Sequence, residues 1–344
     1  MKVLVTLGYF DDTGECALAE VDLARGDSRI ARRFEPPSSL VVPDKGFTGA
    51  TWTGAPRQSE LVVCAFNALH RFDGQTLQLR GTLHQPDMND LHAVCCDDGR
   101  LLVANTGLDA IDVYTIDGRY MGGYRSEPSW LLAERWAGRT PSRADHERML
   151  AGGWDGAAIA FEDSAPLDRY YSTDGGLPIV RRKLRDYVHP NHVAVVGHQV
   201  LVTRLADRRV VDVNGFKEVL QAPAPPHDGE LDGDRFWLTC VDGRVLSYAI
   251  DRAGVTSRVT TEVDASVQSG CYGWCRGLLV TEEHLVVGFT AIRRVPQYPW
   301  RHHPFEDTTT EVVVLDKRTL RLVTRVAIGP SDRHAKIFDI VRWE

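Results

Sequence analysis

Apolar residues recur at alternate positions in short runs along most of this 344-residue chain, and Gly, Asp and Asn interrupt the runs at close intervals. A period of two is the pattern of a half-buried β-strand, and turn residues between such runs mark hairpins. Residues 91–124, LHAVCCDDGRLLVANTGLDAIDVYTIDGRYMGGY, carry the pattern best. They predict strand, Asp-Asp-Gly turn, strand, Asn-Thr-Gly loop, strand, Asp-Gly turn and strand, a four-stranded antiparallel meander. Comparable units cover 189–222, 227–250 with an outer strand near 254–263, 271–328, and 47–84. One such unit cannot bury its own faces, whereas several packed radially make a β-propeller.

Five complete units leave two partial ends. The N-terminal end offers the strands KVLVTLG, CALAEVDL and SRIARRFEP, and residues 334–343, HAKIFDIVRW, offer one more. The last strand is expected to pair inside the first three, completing a sixth blade and removing free sheet edges. The expected fold is all-β, a single six-bladed propeller over 1–344; one misread irregular blade would make it five or seven. Two insertions break the pattern. Residues 125–186 hold apolar positions at helical spacing in SWLLAERWAGR and ADHERMLAGG, and residues 291–310 form a long loop rich in Pro, Arg, His and aromatics. Strands in a meander alternate in direction, so both insertions are expected over the channel mouth, on the face where each inner strand starts.

Composition narrows the function classes. A chain that is 43% hydrophobic can bury a sizeable core, and thirty glycines with seventeen prolines suit many short strands. A net charge of −7 argues against a nucleic-acid platform. The opening residues read as a strand and not as a signal peptide, and no apolar run is long enough for a membrane span. Seven cysteines are an odd count, and the adjacent Cys95 and Cys96 point to opposite faces of one strand. A reducing cytoplasm is the expected setting, with cysteines as small buried hydrophobes. No Gly-rich phosphate loop opening a helix, G-x-S-x-G elbow or H-E-x-x-H motif occurs, so no nucleotide cofactor is expected.

The candidate chemistry lies where inner strands begin. Blade three starts Asn89-Asp90-Leu91-His92, blade four His189-Pro190-Asn191-His192, blade five Pro226-His227-Asp228-Gly229, and the closing strand Asp332-Arg333-His334. These starts converge on the channel axis, so His92, His192, His227 and His334 are expected to form a ring. Neutral imidazoles suit a divalent transition metal such as zinc, iron, manganese or copper, and also proton transfer near neutral pH. Asp228 and Asp90 would orient rings or complete a metal sphere. His189 is an alternative to His192, since the two are three apart across a proline. A one-residue change of register would turn any of these side chains off the axis. Asn105, Arg204 and Asp242 end second strands on the same face as ligand-binding candidates, and His302-His303 would reach down from the second insertion.

The 91–124 unit, with VANTGLDAIDVYTIDGRYMGGY, resembles an NHL-type repeat, and the chain more broadly resembles the six-bladed group of gluconolactonase/regucalcin and strictosidine synthase-like proteins. Gluconolactonases hold their metal with a carboxylate- and Asn-rich set, and the matching strand starts here offer His instead. Streptogramin lyase, a related propeller with channel histidines that serve metal-assisted elimination, is similar by analogy only. Together these features lead to the expectation of an enzyme with a histidine-lined, metal-dependent site at the channel mouth. It would act on a small-molecule substrate by elimination, isomerisation, hydrolysis or metal-dependent oxidation. The alternative is a non-catalytic propeller that binds a protein or small ligand through its insertions. Oligomeric state is not legible in the sequence.

Overall fold

The computed structural model describes residues 1–11, 13–43, 45–85, 88–125, 171–174, 177–180, 186, 188–214, 217–292, 308–329 and 334–344. Within them the chain forms six four-stranded antiparallel sheets and one two-stranded sheet. The first blade holds β1 (Lys2–Tyr9), β2 (Cys16–Asp22) and β3 (Asp27–Phe34). The second is β4 (Ala50–Trp52), β5 (Leu61–Cys64), β6 (Leu69–Phe72) and β7 (Leu79–Leu83). The third is β8 (Leu91–Asp97), β9 (Arg100–Asn105), β10 (Ala110–Thr115) and β11 (Tyr120–Arg125). The hairpin β12 (Tyr171–Asp174) and β13 (Leu177–Val180) falls in the first insertion, the rest of which, up to Asp186, lies outside the described residues.

Blade four is β14 (Pro190–Val196), β15 (Gln199–Arg204), β16 (Arg209–Asp212) and β17 (Lys217–Gln221). Blade five is β18 (Pro226–Asp232), β19 (Arg235–Cys240), β20 (Arg244–Asp251) and β21 (Gly254–Asp264). Blade six is β22 (Trp274–Val280), β23 (His284–Thr290), β24 (Glu311–Asp316) and β25 (Leu322–Ala327). The last strand, β26 (Ala335–Arg342), pairs with β1 and completes the first blade in the order β26-β1-β2-β3. Each inner strand packs against the next, and β26 packs against β4, so the ring closes as the three-plus-one strand count requires.

The apolar core is divided among the six joints between blades. Alternation along a strand explains the division, because neighbouring residues face opposite blades. In β23, Leu285, Val287 and Phe289 pack toward blade five with Trp237 and Val245. Val286 between them packs toward blade one with Val3, Val5 and Ile337. Four further joints follow the same rule. All seven cysteines are unbridged, and burial drives the thiol pKa values of Cys16, Cys64, Cys95, Cys240, Cys271 and Cys275 upward, as small core residues require. No helix among the described residues is long and apolar enough to cross a membrane. The central channel is left to polar residues.

Candidate functional site at the bulged inner strands

Five of the six inner strands carry one residue more than their partners at the same height. The register skips between Leu91 and Ala93 in β8, Pro190 and His192 in β14, Pro226 and Gly229 in β18, and Cys275 and Leu278 in β22. In β26 the residues between Ile337 and Ile340 face Thr6 alone on β1. A β-bulge bends its strand and re-aims its side chains, and bulges gather beside active sites. The bulge residues are His92, Asn191, His227-Asp228, Arg276-Gly277 and Phe338-Asp339. Prolines 190 and 226 open their strands where no ladder donor is needed. Gly277 has φ +78, and a Cβ there would meet Ile340 Cγ1 at 2.9 Å, so only glycine fits this approach.

Hydrogen bonds stitch the bulges to neighbouring blades at each joint. Gly49 N donates to His92 O at 2.8 Å and Thr290 Oγ1 donates to Ile337 O at 3.0 Å. Ala50 N donates to Asp339 Oδ2 and Gly277 N to Asp228 Oδ2, both at 2.8 Å. Thr106 Oγ1 donates to Pro190 O, and Asn191 Nδ2 donates to Pro226 O at 3.2 Å. That last bond fixes the amide of Asn191, so its Oδ1 faces His92 Nδ1 at 3.1 Å and takes the ring proton.

The rings form one cluster. His92 lies edge-on to His189 with centroids 4.8 Å apart, 6.4 Å from His227 and 6.2 Å from Phe338. His92 Nε2 is 3.4 Å from Asp90, whose other oxygen pairs with Lys45 at 3.0 Å. His189 Nδ1 pairs with Asp186. His227, 3% exposed, holds Asp228 Oδ1 through Nδ1 at 3.0 Å. Asp228 also accepts from Thr239 Oγ1 at 2.8 Å, so its carboxylate is fully engaged. The ring proton of His227 therefore sits on Nδ1, and the Nε2 lone pair has no hydrogen-bond partner among the described residues. The guanidinium of Arg276 packs against Trp274 and Phe338, 4.8 Å from each ring.

Burial sets the protonation states. It lowers the pKa of His227 despite the opposing charge of Asp228, and it lowers that of His192 to about 4, so both rings are neutral near pH 7. Burial opposes ionisation of Asp228 too, but His227 and its other partners outweigh it, and the carboxyl stays below its ordinary range. Asp339 is pushed up to about 8 by burial, with the charge of Asp228 adding to the effect. Deeper in the channel, burial also pushes Glu230 up to about 8, with Asp339 among the adding charges.

The expected ring is only partly the observed one. His92 and His227 hold equivalent bulge positions, and His189 joins them. His192 does not: the extra residue in β14 makes Asn191 the equivalent of His92. The His192 ring instead lies against Gly229, whose added Cβ would sit 3.4 Å from its Nδ1. His334 is exposed, four positions ahead of Phe338, because β26 runs longer before its bulge. The proposed metal set of His92, His192, His227 and His334 therefore does not converge. Among the described residues no group of three or more His, Cys, Asp and Glu is placed to hold a metal ion. His92 meets Asn191 and Asp90 through its two nitrogens, and a guanidinium shares the cluster.

Asn105 and Arg204, expected as ligand contacts, are engaged within the fold. Asn105 is fully buried, accepts from Asn89 N at 3.1 Å and donates to Asp112 at 2.7 Å. Arg204 is buried in a bidentate pair with Asp207. Asp242 pairs with Arg244 at 2.8 Å. His303 and most of the 291–310 loop lie outside the described residues. Sequence reasoning missed Arg276, Phe338 and Asp339. A usable signal exists for the first of these, since Arg276-Gly277, like Asn191-His192, breaks the alternation just before an apolar run.

No protein-family model matches the chain, and no curated protein sequence is detectably similar to it. Solved structures are. A protein of unknown function from Bacteroides caccae is 12% identical, with 98% of this chain and 97% of that one covered at a TM-score of 0.56. A chain of a nidogen/laminin complex is 11% identical, with 99% and 97% covered at a TM-score of 0.52. At these identities the likeness shows the propeller fold alone, and it does not establish the NHL or gluconolactonase group that the blade-three repeat resembles.

Proposed function

We propose that the protein is an enzyme that transfers a proton on a small polar molecule at this end of the channel, with His227 as the base. The observation that carries the proposal is the state of one ring: Nδ1 fixed by a buried carboxylate, Nε2 buried, neutral and without a partner. A base needs that arrangement, because the carboxylate sets the tautomer and then stabilises the imidazolium that forms. Asp339 retains its proton up to about pH 8 and supplies an acid in the same channel. Elimination and isomerisation both begin with such a proton abstraction. The unbridged cysteines support a reducing cytoplasm as the setting.

The test uses untagged protein in D2O with a panel of 2-hydroxy, 3-hydroxy and 2-oxo acids and simple lactones, followed by proton NMR. The wild type should exchange a carbon-bound proton or form product with a member of the panel. His227→Ala should slow that reaction roughly 10²–10⁴-fold. A panel left untouched by the wild type, or a His227→Ala protein as fast as its parent, would overturn the proposal.

A further inference from the structure

Arg276 is the other channel residue whose chemistry is unanswered. It occupies the bulge of β22, next in the ring to the β18 bulge that carries His227. Its guanidinium is half-buried, and Nε is fully shielded without an acceptor. No carboxylate stands within salt-bridge distance of it among the described residues. The acids whose fields reach it, Asp228 and Asp90, are committed elsewhere: Asp228 to His227, Thr239 and Gly277, and Asp90 to Lys45. Burial brings its pKa down only to about 10, so the charge persists at neutral pH. A half-buried charge with a shielded, unbonded N–H is unfavourable, and perturbed groups of this kind gather at functional sites, where a ligand can complete them.

We propose that Arg276 binds the carboxylate of a small monoanionic substrate. Trp274 and Phe338 hold the plane of the guanidinium, and a planar fork with two N–H groups on one edge matches a carboxylate in bidentate fashion. A single cation with the ionised Asp228 close by favours a single negative charge over a phosphate dianion. With the carboxylate at β22, the carbon next to it lies beside the β18 bulge and His227. This assignment names the substrate class of the proposed active site and so rests on that reading, but the two fail separately, because binding at Arg276 does not need the base.

Thermal melting and NMR titration with pyruvate, benzoate, inorganic phosphate and the neutral benzamide test it. Pyruvate or benzoate should bind the wild type and His227→Ala and raise their Tm, whereas benzamide should not. Arg276→Lys, which keeps the charge and loses the fork, should weaken binding about tenfold, and Arg276→Met should abolish it. Without ligand, Arg276→Met should melt at or above the wild-type temperature, since it removes an uncompensated charge. A ligand-free Arg276→Met protein that melts well below wild type would make Arg276 a structural residue and overturn the assignment. So would carboxylates that bind Arg276→Met as well as the wild type, no carboxylate binding at all, or phosphate binding more tightly than carboxylates.

Discussion

Two arginines two blades apart, one buried and one half-buried, have opposite surroundings. Arg204, at the end of β15, meets Asp207 through two N–H groups on one edge of its fork, and Asn105 in blade three is bonded to Asn89 and Asp112. Arg276, on the β22 bulge, meets two aromatic rings, and its shielded Nε meets no acceptor among the described residues. The difference is one of purpose. Where hydrogen-bonding capacity is spent within the chain, the polar group holds the fold; where it is left open over a bulge, the same side chain is the one proposed to face a ligand.

Breaking the closed region should have the largest effect. Asp207→Ala removes the bidentate partner of Arg204 in the protein interior, and removal of one partner of a buried pair costs about 3–5 kcal/mol. Urea unfolding should show that loss, while the ring signals of His92 and His227 stay in place. Asn105→Ala should cost less, about 1–3 kcal/mol, because it leaves the Asn89 N–H and an Asp112 oxygen without their partner. If either substitution proved neutral in stability, the contrast between closed and open regions would fail.

The open region should register instead in pH dependence. Asp339 and Glu230 have folded pKa values raised to about 8, above their unfolded values. The folded state thus binds more protons than the unfolded one between about pH 4 and 8, and stability falls as pH rises through that window, by up to about 1.4 kcal/mol per pH unit for each group. His192, with its pKa lowered to about 4, acts in the opposite sense and only below its unfolded value near 6.5. The fall should therefore show cleanly between pH 6.5 and 8.5. Asp339→Asn should flatten part of it, and an unchanged slope would place that carboxyl in contact with water.

The blades were legible in the sequence because alternation and turn residues are local. The closure of β26 onto β1 was legible because strand counting needs no coordinates. The site was less so. His92 and His227 lie on bulges close to the strand starts that drew attention to them, but a bulge adds a residue that no periodicity announces, and it put Asn191 where His192 was expected. Arg276 escaped notice because little marks it locally beyond a break in alternation: it follows Cys275, a buried core residue, within a single strand. A side chain's openness depends on what its neighbours on other blades have already bonded. Asp228 with Gly277, across 49 residues of sequence, is such a pairing.

The smallest predicted effect is the one that best separates bulge from strand start. His334 precedes β26 and would belong to the channel ring if strand starts defined the site. Its ring is exposed, and its tie to the fold is the backbone carbonyl that accepts from Phe10 N at 2.9 Å, a bond that any residue supplies. His334→Ala should therefore change the urea midpoint by no more than about 0.5 kcal/mol equivalent, the usual limit for surface positions. It should also leave carboxylate binding and turnover at wild-type values. If binding or turnover fell tenfold, the working height of the channel would lie at the strand starts, four residues nearer the mouth than Phe338. The bulges would then shape the wall below the site and would not carry its chemistry.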